Sequence, residues 1–172
     1  MRRFRFDLGL IAAAALGLPL ITPFLTGQLP RTADAMFHLH RILSAGLSLE
    51  NGILYPRWSP HLHAGFGYPL HNFYAPLTHL VGGGLSTFFD FDPIHIYLAL
   101  QALGVLLAGT GAYLFARQFA LVPGALFAAA AYTWAPLRMR ELWSQGNIAQ
   151  LIALGLLAWV FWSLARLASQ PG

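Results

Sequence analysis

Residues 8–25 read LGLIAAAALGLPLITPFL, eighteen positions among which Thr22 is the one polar side chain. As a helix this run rises about 27 Å, close to the ~30 Å hydrocarbon core of a bilayer. Arg2, Arg3 and Arg5 stand just before it, the charge pattern of a first membrane segment with a cytoplasmic N-terminus. A cleaved signal peptide is the competing reading. The run ends in Thr26-Gly27-Gln28, which offers no convincing small-residue cleavage site, and more apolar runs follow. The stretch therefore reads as an uncleaved first span over 8–27.

The rest of the composition agrees. The chain of 172 residues is 57% hydrophobic and 14% aromatic but only 9% charged, against about 25% charged in soluble domains. So few charges cannot cover a water-facing surface, which excludes a soluble enzyme, a secreted mini-protein and a disordered tail. Ten basic residues oppose six acidic ones, and every basic residue is arginine. They are scattered singly or in pairs between apolar runs, so the excess is no nucleic-acid footprint. No cysteine is present, which removes disulfides, thiolate metal sites and a cysteine nucleophile. The expected class is an all-α polytopic integral membrane protein.

After the first span the chain changes character. Residues 28 to 74 hold five of the seven histidines with many aromatics and prolines. That is too polar to cross lipid and too aromatic for a flexible linker. It reads as an extracytoplasmic loop with interfacial helices, running to about residue 93. Its first part predicts a helix with Ala35, Leu39, Ile42 and Leu43 on one face, Asp34, His38 and Arg41 on the other, and Gly46 as its end. Further apolar stretches cover about 74–89, 94–116, 118–137 and 148–165. The first carries Thr78, His79, Gly82-Gly83-Gly84, Ser86 and Thr87. It is the weakest span, so four crossings are expected, with a fifth only if 74–89 crosses. The arginines divide five and five between the two sides under either count, so charge does not decide.

Three groups of residues can carry chemistry. Asp34, with His38 one turn on, can act as a general base or bind a divalent metal, and it can equally be a helix N-cap. The histidines His38, His40, His61, His63, His71 and His79 can ligate a transition metal or simply bond water, headgroups and backbone carbonyls. In a helix His38 and His40 diverge by about 200°, whereas an extended segment would put His61 and His63 on one face. In Pro136-Leu137-Arg138-Met139-Arg140-Glu141-Leu142-Trp143, two guanidiniums can grip a phosphate or anchor the chain among headgroups. They converge on one phosphate only if the segment after Pro136 is irregular or extended. Tyr55, Trp58, Phe66, Tyr68, Phe73 and Tyr74 can line a groove for a lipid or glycan, or form an interfacial belt. No acidic residue lies deep in a convincing span, which argues against a proton-coupled transporter.

The order of these features resembles a family: one helix, Asp34 with Arg41, then Tyr55-Pro56-Arg57-Trp58, Gly65-Phe66-Gly67-Tyr68-Pro69 and Asn72-Phe73-Tyr74-Ala75-Pro76-Leu77. It is similar to the N-terminal part of bacterial polytopic membrane proteins of the 6-pyruvoyl-tetrahydropterin synthase-related family. That name fits a soluble pterin enzyme whose composition this chain lacks. Those proteins in turn resemble GT-C glycosyltransferases, which move sugars from polyprenyl-phosphate donors on the extracytoplasmic side.

The resemblance runs from Asp34 to about Gln150. It implies Asp34 and Glu141 as catalytic residues, Arg138, Arg140 and Arg41 on the donor phosphate, and Arg57, Trp58, Tyr68, Asn72 and Tyr74 along a substrate groove. It also implies a divalent Mg or Mn ion at Asp34 and His38, with membrane lipid and a polyprenyl-phosphate sugar as partners. Where such relatives close the second loop with an acid, this chain has Gln150. The family's ten or more spans suggest an N-terminal fragment, or a chain needing a partner subunit, in the cell membrane.

Overall fold

The computed structural model describes residues 7–169. Arg2, Arg3 and Arg5 of the charged start, and Gln170, Pro171 and Gly172 at the other end, lie outside the described residues. Among the described residues every regular element is helical: α1 (Leu8–Ala15), α2 (Leu18–Ile21), a 3-10 turn (Thr22–Thr26), α3 (Ala35–Glu50), α4 (Leu77–Phe89), α5 (Pro93–Ala116), α6 (Val122–Thr133), α7 (Pro136–Met139), a π-helical turn (Arg140–Gln145) and α8 (Ile148–Ala168). Two short 3-10 turns, His63–Gly65 and Leu70–Asn72, punctuate the long segment between α3 and α4. Leu8–Thr26, Pro93–Ala116 and Ile148–Ala168, of 19, 24 and 21 residues, are long and apolar enough to cross a membrane. Val122–Thr133 is a fourth, shorter apolar helix. This is an all-helical polytopic membrane protein.

The residues fall into two compact units. One gathers the first span through Leu25, Ala102–Met139 and the residues from Leu151 on. The other gathers Thr26–Gln101 and Arg140–Gln150. In the first unit the spans meet through small residues, as lipid-embedded helices do when no hydrophobic force draws them together. A Cβ on Gly104 would come within 3.1 Å of the Leu151 backbone, and one on Gly155 within 2.9 Å of the Gly104 carbonyl. Side chains then bond across these contacts. Trp159 Nε1 donates to the Leu107 carbonyl at 2.9 Å, Tyr132 Oη to that of Leu154 at 2.6 Å, and Tyr113 Oη to the Asp7 carboxylate at 2.9 Å. Ala13, Tyr113, Ala125 and Ala129 form a buried cluster at one such contact.

The second unit is built on the pairing of α3 with α4. Gly83 of α4 lies directly on the α3 backbone, where an added Cβ would be 2.5 Å from the Gly46 nitrogen and 2.9 Å from the Ile42 carbonyl. Gly46 is thus the contact point of α3, which runs on to Glu50, and not its end. The buried face of α3 carries Ala35, His38, Ile42, Ala45 and Gly46. His38 therefore sits on the inward face, opposite to the amphipathic expectation, because α4 supplies a polar partner there. The polar and small residues that weakened 74–89 as a span serve this pairing.

Two boundaries also differ from the expected ones. The fourth apolar helix covers Val122–Thr133 rather than 118–137, since Pro123 starts it and the chain breaks at Trp134 and Ala135 ahead of Pro136. The segment after Pro136 is helical, first α and then π, rather than extended.

Replacement of Gly83 by Ala should push α3 and α4 apart at backbone level and destabilise the protein by about 1–3 kcal/mol despite alanine's better helix propensity. Gly84, whose added Cβ would meet nothing closer than 3.8 Å, should accept Ala with no loss. Thermal unfolding of both variants in lipid nanodiscs measures the contrast, and equal behaviour of the two would refute the close contact.

Candidate functional site

The second unit collects most of the polar groups that the sequence singles out. Asp34 occupies the N-cap position of α3, yet its side chain makes no capping hydrogen bond. What holds it is backbone: Ala33 N–H donates to the Ser144 carbonyl at 2.9 Å and Asp34 N–H to the Gln145 carbonyl at 2.7 Å. The start of α3 is thereby tied to the π-helical turn that carries Arg140 and Glu141. Glu141 is buried and accepts from Arg140 Nη1 at 3.4 Å, while the Arg140 side chain remains 62% exposed. The turn ends at Gly146, whose positive φ of 70° suits glycine and whose position leaves no room for a Cβ beside the Tyr97 hydroxyl. Tyr97 Oη donates to the Gly146 carbonyl at 2.8 Å. Asn147 then caps α8, its Oδ1 accepting from Gln150 N–H and from Tyr74 Oη, both at 3.0 Å. Gln150 is exposed.

Behind Asp34 the α3–α4 contact encloses a cluster of rings. His38 Nδ1 and His79 Nε2 stand 2.9 Å apart, one donating and the other accepting, and both side chains are fully buried. Tyr74, Tyr97 and His71 pack around the pair, with ring centroids 5.6–6.4 Å from one or other imidazole. The outer nitrogens, His38 Nε2 and His79 Nδ1, have no hydrogen-bond partner. Arg41 places its guanidinium over the Tyr74 ring, 4.5 Å from the centroid. Burial first, and the Arg41 charge second, pull the His38 imidazole from 6.5 down to about 4. His79 is drawn down further by burial and by the charges of His38, Arg41 and His71. His71 is lowered too, with burial outweighing its hydrogen bond to the Tyr74 backbone. At neutral pH the pair is uncharged.

The remaining expected site residues are not among these rings. Arg138 belongs to the first unit, where it is buried, donates from Nη2 to the Gly104 carbonyl at 2.9 Å and lies 5.5 Å from the Tyr132 ring centroid. Arg57 and Asn72 are exposed. Trp58 is 56% exposed and packs on Gly67, where an added Cβ would meet its indole. Tyr68 stacks near His63 at 4.7 Å. Tyr74 alone of the groove residues turns inward to the histidines. Among the described residues no three His, Asp or Glu side chains converge as a metal-ligand group.

The reading from sequence grouped His71 and His79 with the other histidines but missed Tyr97, and it did not single out the pairing of His38 with His79. A signal existed: His79 is a lone titratable residue in an apolar helix whose Gly82-Gly83-Gly84 marks close helix packing.

Comparison with known proteins places this architecture. A model of the 6-pyruvoyl-tetrahydropterin synthase related domain, a membrane protein domain, matches residues 71–170. The chain belongs to this family. The match takes in His71, Tyr74, His79, Tyr97, Arg138, Arg140, Glu141 and Asn147, while Asp34, His38 and Arg41 lie before it. The family member is also similar to an uncharacterized protein of Lactococcus lactis subsp. cremoris (strain MG1363), 23% identical over 153 residues, which is 84% of this chain and 24% of that protein. The chain thus spans about a quarter of the relative's length. No solved structure matches.

Because a neutral His38 is favoured in the folded state, stability should be complete above pH 6.5 and fall as pH drops from there toward 4, where the unfolded chain binds the proton and the native pair resists it. For His38 alone the loss amounts to about 3 kcal/mol at pH 4. Unfolding of the protein and of His38→Gln in nanodiscs between pH 8 and 4 measures this. A parent whose stability is flat across that range would contradict the buried neutral pair.

Proposed function

We propose that this chain is the first module of a GT-C-like glycosyltransferase, acting on a polyprenyl-phosphate sugar at the extracytoplasmic face of the cell membrane, with its N-terminus in the cytoplasm and four crossings. The observation that carries the reading is the pair of backbone hydrogen bonds from Ala33 and Asp34 to Ser144 and Gln145. They tie the first-loop acid to the second-loop segment bearing Arg140 and Glu141, the association the resemblance requires. Asp34's carboxylate is spared from capping and accepts the proton of an acceptor hydroxyl. The acceptor oxygen attacks the anomeric carbon, the bond from that carbon to the phosphate oxygen breaks, and the phosphate leaves with its negative charge. Arg140, exposed and held by Glu141, stabilises that charge. Arg138 is assigned to a helix contact instead, since it is buried on the Gly104 carbonyl. Further spans, from more of the same polypeptide or from a partner subunit, complete the enclosure of donor and acceptor.

A second reading is a non-catalytic membrane protein that binds lipid or a partner through its aromatic loop. The outward Trp58, Phe66 and Phe73 favour it.

Asp34→Asn separates the two. The transferase reading expects normal insertion with transfer of labelled sugar in membranes reduced by at least a hundredfold; unchanged transfer refutes Asp34 as the base. Arg140→Lys keeps the charge but loses the fork, and should weaken binding of a polyprenyl-phosphate sugar about tenfold, or ~1.4 kcal/mol. Arg138→Lys should lower thermal stability and leave that affinity alone. The reverse pattern would assign the phosphate to Arg138.

Sidedness is checked with single cysteines at the exposed positions Asn51 and Ser144. Both should react with a membrane-impermeant thiol reagent in intact cells. Labelling of Ser144→Cys only after permeabilisation would establish five crossings.

A further inference from the structure

Within the second unit, α3 and the loop 61–70 enclose a cleft of about 600 Å³, within the usual range for small-molecule sites. From α3, Phe37, Arg41, Ser44 and Leu47 recur at helical spacing along one wall, with His40 beside them. His61, Leu62 and His63 of the loop form the opposite wall. No acidic residue lines the cleft.

Three observations indicate what it holds. First, its apolar walls are open: Phe37 is 59% exposed, and Leu43 and Leu47 are exposed too. Such surface is stabilised by an apolar chain. Second, two of its polar groups, Ser44 and Arg41, have hydrogen-bonding capacity to spare. The Ser44 hydroxyl oxygen is buried without a hydrogen-bond partner. Among the described residues Arg41 has no carboxylate within ion-pair distance, and its guanidinium lies over the Tyr74 ring. Third, the loop wall is held in shape. His63 and Ala64 adopt positive φ of 51° and 53°, conformations that non-glycine residues hold only when their surroundings impose them. The Ser59–Tyr68 bridge and the packing of Trp58 on Gly67 supply that constraint. The left-handed turn, rather than an extended strand, is what brings His61 and His63 to one cleft.

We propose that this cleft binds a single-chain lipid carrying a phosphate headgroup. Arg41 and Ser44 hold the phosphate from α3, His40, His61 and His63 surround it, and the chain lies along Phe37, Leu43, Leu47 and Leu62. A guanidinium fork with several further donors matches the acceptor oxygens of a phosphate. This site shares Arg41 with the donor-phosphate group that the resemblance implies, but its test needs no sugar and no transfer, so it can fail while the transferase reading stands.

The test uses the full chain in phosphatidylcholine nanodiscs and oleoyl lysophosphatidate as the probe, with binding followed by thermophoresis. Oleoyl lysophosphatidylcholine carries the same chain on a zwitterionic head, and inorganic phosphate supplies the head without a chain. Saturable binding of lysophosphatidate is expected, at least tenfold tighter than either control and at least tenfold weaker in Arg41→Gln. Leu62→Trp fills the cleft from the loop without touching the α3–α4 contact, so it should abolish binding even if Arg41→Gln fails to insert. Equal affinity for the two lysolipids, phosphate binding as tight as the lipid, or parent-like binding by Leu62→Trp would each overturn the proposal.

Discussion

The contact on which the second unit depends is the backbone approach of Gly83 to Gly46. α3 turns Ala35, His38, Ile42, Ala45 and Gly46 inward, and α4 is too short and too rich in glycine to stand alone in lipid. Removing both Cβ atoms lets the helices approach until Ile42 lies over Gly82 and His38 over His79. The close approach packs backbone directly against backbone at Gly83 and Gly46. Once the helices are this near, the two imidazoles have no water. Each can satisfy one nitrogen only through the other, and burial then keeps both uncharged.

From that contact the candidate site is laid out. Tyr74 and Tyr97 close the histidine pair from the loop and from the start of α5, and their hydroxyls reach Asn147 and Gly146 respectively. The same short segment receives the backbone N–H groups of Ala33 and Asp34 through its Ser144 and Gln145 carbonyls. A π-helical turn widens the helix by one residue and so exposes carbonyls that an α-helix would consume internally. It is the feature through which the start of α3 and the 140–147 segment find each other. The turn also gives its two charged residues opposite surroundings, with Glu141 buried and Arg140 reaching out from it.

On the α3 surface the polar positions divide their work. His38, on the inward face, is spent on the fold, whereas His40, Arg41 and Ser44 border open space beside the loop 61–70. Sequence alone groups Asp34, His38 and Arg41 by period; packing separates them, because the side of a helix that faces inward is set by its neighbour and not by its own pattern. Arg138 illustrates the same point. Its spacing from Arg140 suggests a shared phosphate, yet its guanidinium satisfies the carbonyl of Gly104, a residue that glycine packing against α8 brings close.

What the sequence by itself determined is the class of the molecule. Long runs such as 8–25, 94–116 and 148–165 hold almost no charge, and in lipid a backbone with no water must form helices. The order of Asp34, the Tyr-Pro and Gly-Pro turns and the arginine segment was enough to recognise the family. What only the tertiary structure decided is which polar side chains meet. His38 and His79 are 41 residues apart, and Tyr74 and Asn147 are 73 apart. No local period encodes such pairs, since they follow from how closely two helices can approach and from the π turn that sets the register of the last segment. The extent of α3 was hidden for the same reason. A glycine in sequence reads as a stop, and only a second helix pressed against it shows that its missing side chain is a contact.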